Sequence, residues 1–115
     1  MRVYLPTTTA DLAAFVASGE VPAGDDRFVA DDESEEAEYD ALVAAADAAA
    51  ELLDGPGRRV VVVADVPDPD GAFPIRLIAS VHADDEPVDP TSGAFPDLGW
   101  YAVQEIEDLL AGGLG

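Results

Sequence analysis

The chain has 115 residues, enough for one domain with its own core. It carries 25 acidic residues against five arginines, no lysine and a formal charge of −20, which argues against direct binding of nucleic acid or of an anionic membrane. The absence of cysteine excludes disulfides, thiolate metal sites and cysteine nucleophiles.

The elements follow in the order β-α-β-α-β-β-α, within a single α/β domain spanning 1–115. Arg2 to Leu5 is expected as a strand ended by Pro6. Thr8 or Thr9 then caps a helix with Asp11 in its first turn, where a carboxylate meets the positive end of the helix dipole. Leu12, Phe15 and Val16 supply its apolar stripe, Gly19 sits at the left-handed C-cap, and Pro22 prevents continuation.

Arg27 to Ala30 reads as a short strand, followed by the acidic run Asp31 to Glu38. Tyr39, Leu42, Val43, Ala46, Ala49, Ala50 and Leu53 then recur at steps of three and four, opposite Asp40, Asp47, Glu51 and Asp54. This is an amphipathic helix with Asp31 or Asp32 as its expected cap and Gly55-Pro56-Gly57 as its stop.

Val60 to Val63 form an unbroken β-branched row, the mark of a central strand buried on both faces. After the turn sequence Pro67 to Gly71, the segment Ile75 to Ala83 alternates, with Arg76, Ser80 and His82 on a wet face and Ile78 out of phase. Asp84 to Pro96 reads as a loop, and a last helix is expected from Asp97 to Ala111, with Val103, Ile106 and Leu110 inward. The architecture expected is a two-layer sandwich: a four-stranded mixed sheet with helices packed on it.

Three places can carry chemistry. Asp65, Asp68 and Asp70 follow the central strand, where α/β proteins tend to place ligands, and hard cations want carboxylate oxygens. The spacing does not match a calcium loop, because the first ligand position falls on Val66 and the bidentate position on Leu77. His82 lies close to Asp84, Asp85 and Glu86, but there is no second histidine for a typical zinc site. The segment Trp100 to Glu105, read as helical, puts Trp100, Gln104 and Asp108 on one stripe and Tyr101 and Glu105 on the next. The only tryptophan beside a tyrosine and an amide suits a small-molecule platform or a partner hot spot. No Walker motif, dinucleotide fingerprint or Gly-x-Ser-x-Gly elbow occurs, and no cofactor is implied.

Several segments taken together resemble a family. They are Met1 to Pro6, Gly19-Glu20-Val21-Pro22, the helix start around Glu38, Tyr39, Ala41 and Leu42, the Val60 to Val66 strand, and Trp100-Tyr101-Ala102 with Gln104-Glu105. The set is similar to an uncharacterised family of small acidic proteins from high-GC actinobacteria, a domain of unknown function. That resemblance assigns no activity and no site residues, and it implies a bacterial cytoplasmic protein.

The leading expectation is a non-enzymatic binding or protein-interaction module, acting as a single chain or a homodimer on a protein or small-molecule partner. Its surface would combine Tyr4, Trp100, Tyr101 and Gln104. One alternative is a metal-dependent enzyme using Asp65, Asp68, Asp70 and His82; another is an acidic decoy for a basic protein.

Overall fold

The computed structural model describes residues 1–30, 32–92 and 95–114, with side chains up to Ala111. Its frame is a five-stranded sheet in the order β3-β1-β4-β6-β7, built from β1 (Arg2–Thr7), β3 (Phe28–Val29), β4 (Val60–Asp65), β6 (Ile78–Ala83) and β7 (Gly99–Tyr101). Every neighbouring pair runs antiparallel. A separate ladder joins β2 (Glu20–Val21) to β5 (Phe73–Pro74). The expected four-stranded mixed sheet is therefore corrected to five antiparallel strands, and the chain is α+β.

The row Val60 to Val63 is fully buried because both faces of β4 are covered. On one face Val3, Leu5, Val60, Val62 and Val81 form a core with Leu12 of α1 (Thr9–Ser18) and with Ile106 and Leu109 of α3 (Ile106–Leu114). On the other face Tyr4, Val61 and Val63 meet Ala41, Ala45 and Ala46 of α2 (Glu35–Glu51). The molecule thus has three layers rather than two.

Thr8 caps α1 by accepting from the Asp11 amide at 3.1 Å, and Gly19 ends it at φ 80°. The cap of α2 is Ser34, which accepts from the Ala37 amide at 3.1 Å; of the two acids expected there, Asp32 accepts from the Ser34 amide and Asp31 lies outside the described residues. β1 continues through Pro6 because β3 reaches only Val3 and Tyr4, leaving β1 an edge at the proline, where a strand tolerates it.

Ile75 to Leu77 is a 3-10 turn, so β6 begins only at Ile78. A register shift between Val63 and Ala64 then sets Ala64 opposite Ile78 and Val63 opposite Ser80, which returns Ile78 to the core face and leaves Ala79 exposed. That bulge explains why Ile78 breaks the alternation.

The final segment differs most from expectation. Gly99, Trp100 and Tyr101 form an edge strand on β6, Val103–Glu105 is a 3-10 turn, and α3 starts at Ile106 and runs through Gly112 and Gly113. Ile106 and Leu109 face inward, while Val103 is exposed.

Candidate functional site

The two faces of the sheet are unequally covered. α1 and α3 share one face, whereas α2 alone lies over β3, β1 and β4 on the other. α2 does not extend over the β6–β7 half of that second face, where buried Ser80, half-buried His82 and exposed Trp100 form the floor and far wall of a narrow trough.

The floor is Val63, Ser80 and His82. Tyr4 lies at its inner edge, Glu38, Tyr39 and Leu42 of α2 form one wall, and Trp100 forms the other, around a hollow of about 270 Å³. Register places these groups: His82 pairs directly with Trp100 across β6 and β7, and with Val61 on its other side. Directly opposed side chains on one face sit about 5 Å apart at Cβ, so the imidazole and the indole are immediate neighbours.

Tyr39 and Trp100 are each 61% exposed, unusual for rings of that size flanking a half-buried floor. A second hollow of about 330 Å³ shares Tyr39 and Leu42 and continues past Val43 to Arg59, Phe95 and Leu98. The larger side chains of α2 therefore line open surface. The inward face of the helix is alanine: Ala41, Ala45, Ala46, Ala49 and Ala50 are buried, whereas Tyr39 and Val43, expected on the inner stripe, are exposed.

Electrostatics in the trough are set by few groups. Burial pushes the His82 imidazole below its ordinary value, so it is neutral at pH 7. Burial, and then the Glu38 carboxylate, push the Tyr4 phenol up. Arg2 donates to both Asp65 oxygens at 3.0 and 3.1 Å and reaches Glu38 at 3.4 Å. The hydrogen bond from Arg2 is the main reason that the Asp65 carboxyl lies below its usual range.

The four residues proposed for the interaction surface divide between two faces. Tyr4 and Trp100 line the same trough. Because side chains alternate along β7, Tyr101 points to the opposite face, where it packs on the larger core and donates to Asp85 Oδ1 at 2.6 Å. Gln104 sits on the 3-10 turn beside Val16, Ile75 and Ile106, also away from the trough. The helical stripes drawn through Trp100 and Gln104 do not exist, since a strand occupies the first half of that segment.

The carboxylate and histidine set proposed for a metal is not brought together. His82 is opposite Val61, four residues along β4 from Asp65, or about 13 Å at strand rise. Asp65 is paired with Arg2, and Asp68 accepts from the Asp70 amide within its own turn. Among the described residues no group of three or more His, Asp or Glu side chains can hold a metal ion. Nor does His82 hydrogen-bond to any of the neighbouring acids, among the described residues.

Sequence reasoning passed over one built feature, the buried pair Arg59–Asp84. Arg59 donates to Asp84 through Nε at 2.9 Å, a terminal nitrogen at 2.7 Å and its backbone amide at 2.8 Å, with both side chains almost wholly buried. Arg59 also donates to the Pro96 carbonyl at 2.7 Å and lies over the Phe95 ring at 4.5 Å. The pair and its hydrogen bond to Pro96 tie Asp84 and Pro96 to the start of β4 beside the second hollow. Its one sequence signal was an arginine directly ahead of a buried strand, at Arg59-Val60.

Fold and site together define a small α+β domain with a covered core and one open, aromatic-walled trough. The chain belongs to the family described as "Family of unknown function (DUF6912)", which matches residues 1–110. No curated protein and no solved structure matches it. Among the described residues no helix is long and apolar enough to cross a membrane.

Proposed function

We propose that this chain is a binding module of the bacterial cytoplasm, without catalytic chemistry of its own, that holds a protein partner in the trough between α2 and β7. The observation that carries the reading is the exposure of Tyr39 and Trp100 on the walls of a hollow whose floor of Val63, Ser80 and His82 is buried or half-buried. Large aromatic rings flanking a desolvated floor are the side chains that dominate partner binding. A catalytic reading finds less support, because His82, although it shares the hollow with Ser80 and Glu38, hydrogen-bonds to neither among the described residues.

Site-specific photo-crosslinking in cells tests the proposal. A benzophenone side chain at position 39 or 100 should trap the same partner, while one at Ala13, exposed on α1, should not. Equal products from all three positions, or none from 39 and 100, would remove the trough as the binding surface.

A further inference from the structure

Resting on that reading, we infer that the trough receives the arginine or lysine side chains of a basic protein segment, held between the rings of Tyr39 and Trp100 and against the Glu38 carboxylate.

The first argument is the fate of the arginines. Arg2 is bound to Asp65 and Glu38, Arg27 to the carbonyls of Pro22, Pro69 and Gly71, Arg58 to those of Leu109 and Asp85, and Arg59 to Asp84. Four of the five cations are thus committed within the fold. Only Asp65, Asp84 and Glu38 are salt-bridged among the described residues, so most of the 25 carboxylates face solvent uncompensated. A field of that sign draws a cationic partner and repels nucleic acid.

The second is the local pattern. On α2, exposed Tyr39 lines both hollows, exposed Val43 and Asp47 line the second, and the partly exposed Glu38 carboxylate lines the first. Each hollow thus joins acids to apolar groups, with Glu36 and Asp40 exposed nearby on the helix. Such a lining complements a segment that joins basic to apolar residues. Inside, Trp and Tyr faces attract ammonium and guanidinium groups. His82, kept neutral by burial, adds no opposing charge to the floor, and Arg2, which also lines the hollow, is offset by Asp65 and Glu38. Glu38 meets Arg2 through a single 3.4 Å contact, and its side chain is 34% exposed, which leaves acceptor capacity for an incoming donor.

A second copy of the chain fits less well. An isologous dimer would set the same acidic rims against each other across the axis, between subunits each carrying −20.

The test uses the full chain and a fluorescently labelled oligo-arginine peptide, with an oligo-glutamine peptide of equal length as control. Anisotropy reads affinity, and the emission of Trp100, the single tryptophan, reports occupancy of the trough. The arginine peptide should bind and shift Trp100 emission. Trp100→Ala should weaken it about tenfold or more, Trp100→Phe should keep most of the affinity, and Glu38→Gln should weaken it several-fold. Glu51→Gln, the same charge change at the exposed far end of α2, should leave it within about twofold. No binding would overturn the inference, and so would equal binding by all four variants, which would reduce the effect to diffuse charge. So would burial of Trp100 by self-association as the chain is concentrated. If this experiment fails while positions 39 and 100 still crosslink, the trough is a binding surface for a partner that is not basic. If the crosslinks fail too, the surface itself is wrong.

Discussion

Replacing Asp84 by asparagine should be the most damaging single-atom change in this protein. Asp84 is 1% exposed and Arg59 4%, so the guanidinium would keep its charge while losing the anion beside it. Removing one partner of a buried ion pair costs about 3–5 kcal/mol, since the remaining charge stays desolvated. Asparagine can still accept from the Arg59 amide through its single oxygen, which puts the expected loss near the lower end, about 3 kcal/mol. Against the 5–15 kcal/mol typical of whole domains, that lowers the melting midpoint by roughly 12 °C or more. Urea unfolding followed by Trp100 fluorescence measures it directly. Asp85→Asn is the matched control: Asp85 is exposed, its carboxylate accepts only from the Tyr101 hydroxyl among the described residues, and its neutralisation relieves repulsion within a chain of charge −20. It should change stability by less than about 1 kcal/mol. A loss below about 1 kcal/mol for Asp84→Asn would show the pair to be hydrated and refute the reasoning.

Three further outcomes follow from single positions. Gly19→Ala should cost about 1 kcal/mol by denaturant titration, because the φ of 80° strains any L side chain although nothing lies within 4 Å of the new Cβ. Ala45→Leu should cost about 1–3 kcal/mol, since Ala45 is wholly buried between α2 and the sheet. His82 should make the fold acid-sensitive. Its folded pKa lies below the unfolded value near 6.5, so the unfolded chain binds the proton more readily, and stability falls as pH drops from that value through the folded pKa. The charged and titratable groups facing it are Arg2, Tyr4, Glu38 and Tyr39. Wild type should lose more stability than His82→Gln between neutral pH and pH 5, and parallel curves would contradict the assignment.

Local signals were legible where one residue decides the structure. The Thr8 cap, the Gly19 stop and the doubly buried valine row each follow from chemistry within a few residues. The errors arose where tertiary contacts choose between local options. Trp100 and Tyr101 carry β-propensity, yet they adjoin the apolar spacing of a true helix at Ile106, and only pairing with His82 and Val81 makes them a strand. In α2 the expected stripe holds at Ala46, Ala49 and Ala50, which are buried, but Tyr39 and Val43 are exposed and Ala41 and Ala45 take the inner positions. Of the residues expected on one surface, Tyr4 and Trp100, singled out by residue type, line the same hollow, whereas Tyr101 and Gln104 are placed with them only by a helical period that the backbone does not follow. The Arg59–Asp84 pair spans 25 residues of sequence and leaves no periodic trace.

That alanine face also explains why the trough exists. Five strands at about 4.8 Å spacing span about 19 Å between the outer two, and a helix with its side chains is about 10 Å across. Two helices can cover one face, but α2 alone cannot cover the other. Short side chains let it settle close to β1 and β4, so that only Glu38, Tyr39 and Leu42 border the hollow over β6. On this face β6, beyond the span of α2, carries buried Ser80 and half-buried His82, where β4 carries Val61 and Val63. The choice of residues on β6 thus agrees with an open face. A defect in packing would have exposed aliphatic side chains there, whereas this surface is half-polar and bordered by two aromatic rings, as a place for another molecule to sit would be.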